Sequence, residues 1–216
     1  MVATNTRGNS PASLASAPFT PSVASCANGR TVCVVGDTGP GGGTVFYVSN
    51  SAFTETDAPC GSGCKYLEVA PADWNGSGTS DPALPWETGS CANQDVGANG
   101  TELGSGFANT AAITLACPEA NGGQSNLAAR AASTYAPTVG SVVVSGWFLP
   151  SLDELAALDT SGLDVVTRPN TYWSSSQWES GRTFVAHTWY FADGGGSAPL
   201  LGSKAFAFSV RPIRAF

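Results

Sequence analysis

The chain has 216 residues, with 26 Gly and 14 Pro, and only 12% of its positions are charged. So few charged positions exclude a helical bundle, and strands and ordered loops joined by tight turns fit the composition better. A formal charge of -7 with nine scattered Lys and Arg argues against a nucleic-acid partner, and no apolar run approaches the roughly 20 residues of a membrane span, so no membrane insertion is expected.

Residues 1–25 are rich in Ser, Ala, Thr, Asn and Pro without apolar periodicity, which predicts a flexible arm or linker. The segment lacks the apolar core of an export leader. A single domain is expected over 26–216. "TVCVVGDTGPGGGTVFYVS" reads as two β-rich runs, Val32–Val35 and Thr44–Val48, around a glycine turn. The turn lacks the Gly-Lys-Ser/Thr ending of a phosphate loop, so a hairpin is the better reading. "CKYLEVAPADW", Cys64–Trp74, continues as a strand entering a loop. Residues 75–106 carry almost no period, and so long an irregular stretch is usually functional or pinned by disulfides. Its carboxylates Asp81, Glu87, Asp95 and Glu102 form no Asp-x-Asp-x-Asp-Gly loop, so no cofactor is expected beyond a structural calcium ion as the one candidate.

Helices are predicted over Ala108–Ala116, ending at Cys117-Pro118, and over Ser125–Thr134. Ser141–Pro150 reads as a strand. In "SLDELAALD" Ser151 and Glu154 have the spacing of a capping box, with Leu152, Leu155 and Leu158 on one face. From Thr171 onward the pattern is β. On a strand over Val185–Ala192, Val185, His187, Trp189 and Phe191 share the more apolar face and are expected inward; Ala186, Thr188, Tyr190 and Ala192 share the other, which leaves Thr188 and Tyr190 outward.

The six cysteines, Cys26, Cys33, Cys60, Cys64, Cys91 and Cys117, lack zinc-ribbon spacing, and one histidine offers little to complete a metal site. Disulfides are the preferred reading, ahead of reduced buried thiols or a metal. Many pairings are open; the shortest loops join 26–33, 60–64 and 91–117. Disulfides imply an oxidising compartment, extracellular or at the cell surface.

The motifs "GDTGPGGGTVFYV", "YLEVAPADW", "GWFLPSLDELAAL", "YWSSSQ", "FADG" and "SVRPIRAF", in this order, resemble the bacterial Lcl C-terminal domain family. The resemblance spans about Cys26 to Phe216. It implies an α+β fold similar to C-type lectins, with two or three helices, a small twisted antiparallel sheet and long irregular loops carrying a ligand face. Members of the family also serve as variable proteins of diversity-generating retroelements, in which a C-terminal block is diversified. In "AHTWYFADG" His187 stands where family members often carry tryptophan.

The resulting expectation is a non-enzymatic display or adhesion surface that recognises a protein, less readily a glycan. Its candidate contacts are Trp178, Glu179, Arg182, Thr183, Phe184, His187, Thr188, Tyr190, Ala192, Asp193, Leu200, Leu201, Phe206 and Phe208. Rigid aromatics on a background of Ser, Gly and Thr are what binding surfaces use, although core packing is the simpler role for any one ring. Catalysis is disfavoured: there is no nucleophile elbow, no cysteine pair in the C-terminal half and no base placed for a nucleophile. The alternative is a structural or adhesin-type surface domain that binds polysaccharide.

Overall fold

The structure, a computed structural model, describes residues 4–5, 8–9, 26, 32–76, 78, 80–116, 126–178 and 181–216. In chain order the strands are β1 (Thr4–Asn5), β2 (Gly8–Asn9), β3 (Thr44–Phe53), β4 (Cys64–Val69), β5 (Ala83–Pro85), β6 (Thr138–Val139), β7 (Val142–Val143), β8 (Trp147–Phe148), β9 (Asn170–Gln177), β10 (Val185–Phe191), β11 (Ala198–Ser203), β12 (Ala207–Ser209) and β13 (Ile213–Ala215). The helices are α1 (Gly106–Ala116), α2 (Ala128–Thr134) and α3 (Leu152–Thr160). Two larger sheets, one ordered β3-β4-β13-β8 and one ordered β11-β10-β9-β12-β5, and three helices make an α+β fold. β1 and β2 pair antiparallel inside the segment expected to be an unstructured arm.

The pleat divides the core. Adjacent residues Tyr172 and Trp173 of β9 enter different clusters, because successive strand side chains point to opposite faces. Trp173 packs with Trp86, Leu149, Ala186, Val210 and the small faces of α1 and α2. Tyr172 packs with Phe191, Phe148, Leu67, Ile213 and Leu155 and Leu158 of α3. The α3 start has the expected form: Ser151 Oγ accepts from Glu154 N at 3.3 Å, and Glu154 Oε2 accepts from Ser151 N at 2.7 Å. Both α1 and α2 fall within a few residues of their predicted limits.

The expected strand Val32–Val35 is not formed. All three of its valines are exposed, and only Thr44–Phe53 becomes a strand. The glycine turn instead wraps the carboxylate of Glu68, which accepts from Gly41 N at 2.9 Å and from Gly43 N at 3.0 Å. Arg214 completes the charge balance with a 2.9 Å ion pair. A Cβ on Gly41 would lie 2.6 Å from Glu68 Oε1 and 2.7 Å from Trp147, so the glycine is needed for close approach. Backbone N–H groups that cradle phosphate elsewhere hold an internal anion here.

Two disulfides, Cys26–Cys33 and Cys60–Cys64, are formed, as the shortest-loop pairing has them. Cys91 is also disulfide-bonded; Cys117 lies outside the described residues. No helix among the described residues is long and apolar enough to cross a membrane.

Candidate functional site

The C-terminal region rests on a buried polar floor. Ser174, Ser175, Ser176 and Gln177 at the end of β9 are all buried. The β9–β10 register passes from Thr188 opposite Trp173 to Ala186 opposite Gln177, so β9 bulges by two residues and turns its serines toward the irregular 94–101 segment. Ser176 Oγ donates to Gly100 O at 2.7 Å, Gln177 N donates to Ala98 O at 2.6 Å, and Ser174 Oγ donates to His187 O at 2.9 Å. Asn109 Nδ2 reaches Ser175 Oγ from α1. A segment with no period of its own is thus held by side chains of the serine-rich strand "SSSQ".

Two buried cations fix the same floor. Arg211 grips Asp81 through Nε at 2.6 Å and Nη2 at 2.8 Å, and donates to Ala70 O and Val165 O. Asp81 also accepts from Tyr172 OH at 2.6 Å and Trp74 Nε1 at 3.1 Å. Burial, then the Asp81 charge, pushes the Tyr172 hydroxyl up to about 12. Lys204, fully buried, donates to Gln94 O and Gln177 Oε1 and sits 4.4 Å from the Trp86 ring centre. Burial pulls its ammonium down to about 8, against Glu87 and Asp95, and pushes the Glu87 carboxyl up to about 7.

On this floor stands the edge of the five-stranded sheet. β10 and β11 pair with His187 opposite Leu201, Val185 opposite Ser203 and Trp189 opposite Pro199. Opposed residues share a face, so Val185, His187 and Leu201 lie together, with Trp178 against His187 at 5.1 Å between ring centres. Lys204 N donates to Phe184 O at 2.9 Å, which brings the Phe184 turn beside the 204–206 turn. Thr183 Oγ1 anchors that turn to Asn93 O at 2.7 Å. Phe184 is 49% exposed, Leu200 48%, Leu201 44% and Phe206 63%. Among the described residues β11 has no strand on its outer side, and these large apolar side chains meet solvent there.

The predicted residues therefore separate. Arg182, Phe184, Asp193, Leu200, Leu201 and Phe206 are exposed, and Trp178, Thr183, His187 and Tyr190 are half-buried. Glu179 lies outside the described residues. Thr188 and Ala192 are buried, which corrects the expected outward orientation of Thr188 and the place of both among the ligand contacts; Ala186, expected on the same face, is buried too. The alternation is inverted because β10 packs on both faces. The side toward α1 and α2 is filled by Trp173 and Trp86 and leaves room only for small side chains, so size outweighs hydrophobicity there. Of the four residues expected inward, only Phe191 is fully buried. Phe208 turns inward against Trp173, 4.8 Å between centres, over Gly202, where a Cβ would lie 2.5 Å from the Phe208 ring.

A cavity of about 670 Å³ opens beside this edge, lined by Asp159, Asp164, Arg168, the Gly194–Gly196 run and Ser197. Arg168 is held by Asp159 at 2.7 Å and stacks over Phe191. The loop carboxylates are engaged separately: Asp81 by Arg211, Asp95 by Gln177 Nε2, and Glu102 by Thr101 N. Among the described residues no group of three or more His, Cys, Asp and Glu could hold a metal ion. The Lys204–Gln177–Glu87–Asp95 group and the Asp81–Arg211 pair escape sequence reading. The one signal was a lone lysine in "GSKAFAF", an apolar context where a charge needs a partner.

No protein-family model, curated protein or solved structure matches this chain.

Proposed function

We propose that this chain is a non-enzymatic, C-type-lectin-like binding domain of the Lcl C-terminal kind, working outside the cell or at its surface. Its ligand face is the outer edge formed by Trp178, Phe184, His187, Leu201 and Phe206. The observation that carries this reading is the concentration of exposed large apolar side chains at 184–206, on a sheet edge whose floor is fixed by buried hydrogen bonds. Monomeric proteins seldom leave such groups together without a partner. An open edge strand that offers main-chain groups beside apolar side chains favours a protein ligand, because strand addition uses both. The two disulfides support an oxidising location. Diversification of this face as a retroelement variable protein rests on the motif resemblance; a neighbouring reverse-transcriptase gene with an imperfect copy of the C-terminal coding block is the expected genomic mark.

The test is saturable binding of the folded domain to cell-surface extracts, compared with Phe184→Ser/Phe206→Ser. Wild-type binding that protease treatment of the extract abolishes, and that the double variant loses while keeping its folded circular-dichroism spectrum, supports a protein ligand at this face. Undiminished binding by the variant overturns the site. A polysaccharide reading has one specific support: Trp74 and Tyr135, 5.6 Å apart at 77°, line a groove of about 350 Å³ with Asn75 and Asn126. Protease-resistant binding lost in Trp74→Ala and kept in the Phe variant favours it.

A further inference from the structure

Among the described residues β11 is the open edge of the five-stranded sheet, and its register with β10 fixes which of its main-chain groups face outward. The pairs run without a shift from Val185 opposite Ser203 to Tyr190 opposite Ala198. One step before them Lys204 N donates to Phe184 O at 2.9 Å, so that pair is hydrogen-bonded. Bonded and non-bonded pairs alternate in an antiparallel ladder. Ala186 with Gly202, Thr188 with Leu200 and Tyr190 with Ala198 are therefore bonded, and Pro199, Leu201 and Ser203 turn their main-chain groups away from β10. The other side of β10 agrees, because Val185 O accepts from Trp178 N and His187 O accepts from Ser174 Oγ. Two of the outward positions are closed. Pro199 has no N–H, as suits a proline on a sheet edge, and Ser203 O accepts from Phe206 N at 2.9 Å. What β11 offers is Pro199 O, Leu201 N–H, Leu201 O and Ser203 N–H.

We propose that this edge pairs with β11 of a second copy of the chain, antiparallel about a two-fold axis at Leu201. The pattern is self-complementary, as an isologous contact requires. Leu201 N–H donates to Leu201 O of the second copy, and Ser203 N–H donates to Pro199 O of the second copy, each in both directions. The donor that Pro199 lacks then faces a Ser203 oxygen already engaged by its own turn, so the pairing covers no outward group without giving it a partner. A foreign strand laid antiparallel in the same place meets no donor at Pro199 and an occupied acceptor at Ser203. Side chains follow the same symmetry. Leu201, 44% exposed, meets its counterpart across the axis on one face. On the other face Leu200, 48% exposed, comes opposite Gly202 of the second copy. The axis is perpendicular to the sheet, so the Trp178 and His187 sides of both copies look the same way and form a bivalent face. The inference rests on the reading of this edge as a site of strand addition and names the strand that is added.

Sedimentation of the purified chain from about 1 μM to about 1 mM should show monomer passing into a species of twice the chain mass. Over the same range the Leu201 and Ser203 amides should become protected from hydrogen exchange. Leu201→Pro removes an outward N–H that the sheet does not use, and should weaken self-association by about tenfold or more with the folded circular-dichroism spectrum kept. Leu201→Lys keeps the N–H but sets like charges opposite each other at the axis. It should weaken the dimer as well, and it covers the case in which proline disturbs the strand. A folded chain that stays monomeric at about 1 mM overturns the proposal. So does a dimer that both variants leave intact, or one in which the Leu201 amide exchanges as fast as in the monomer. The ligand-face reading is judged separately, by the binding of Phe184→Ser/Phe206→Ser to cell-surface extracts.

Discussion

The floor and the rim of the C-terminal region use similar residue types for opposite ends. Trp173 and Phe208 at the floor are packed edge to face, and every polar side chain from Ser174 to Gln177 is buried with a partner. Phe184 and Phe206, a few residues away in sequence from these elements, face solvent. What separates them is hydrogen-bond closure: where the backbone and serines of β9 pin the 94–101 segment, rings are trapped between layers. Where β11 ends the sheet among the described residues, they stay exposed. A face built this way can change its rim side chains while the floor keeps its shape, because few rim contacts contribute to the core.

The comparison breaks most severely at the floor. Asp81→Ala leaves the Arg211 guanidinium buried without its carboxylate and strips Tyr172 and Trp74 of an acceptor; the expected loss is about 3–5 kcal/mol in urea denaturation. A smaller effect, and one that changes with pH, is expected at Glu55. Its Oε1 accepts from Phe107 N at the start of α1, and its buried Oε2 has no donor. Burial, then the neighbouring Glu154 carboxylate, pushes its pKa from 4.5 to about 9, so Oε2 carries a proton and serves as a donor itself. A proton held more tightly in the folded state stabilises fully below the unfolded pKa, and that contribution is lost as pH rises through about 9. Glu55→Gln, which keeps a donor without titrating, should match wild type at about pH 5 and exceed it at about pH 9.5, read as a flattened curve of denaturation midpoint against pH. Ser151→Ala removes the α3 cap and a bond to Glu102 O, at a cost of about 1–2 kcal/mol in the same assay. At the rim, Phe184→Ser and Phe206→Ser should move stability by no more than about 0.5 kcal/mol while binding is lost. A large destabilisation there would mean that floor and rim are one core.

Local signals were legible where local physics decides. The Ser151–Glu154 spacing marked α3, alanine-rich runs ending at Cys117-Pro118 and near Tyr135 marked α1 and α2, and β-branched and aromatic runs marked β3, β4, β9 and β10. The run Val32–Val35 was misleading, since a high β propensity finds no partner strand there and the following glycines turn to enclose Glu68. The inversion of β10 was illegible for a related reason. Alternation indicates that two faces differ, but not which one meets Trp173 and Trp86. Of the candidate contacts, Phe184, Leu200, Leu201 and Phe206 are placed at the surface, Phe208 is drawn inward against Trp173, and Thr188 and Ala192 are buried.

The sequence alone determined the α+β class, the three helices and an even set of cysteines, because capping, propensity and spacing act within a few residues of one another. Only the tertiary structure decided which rings are covered and which charges are buried. Asp81 meets Arg211 and Gln177 meets Lys204 across long stretches of chain, and burial at such sites depends on what the rest of the chain lays over them.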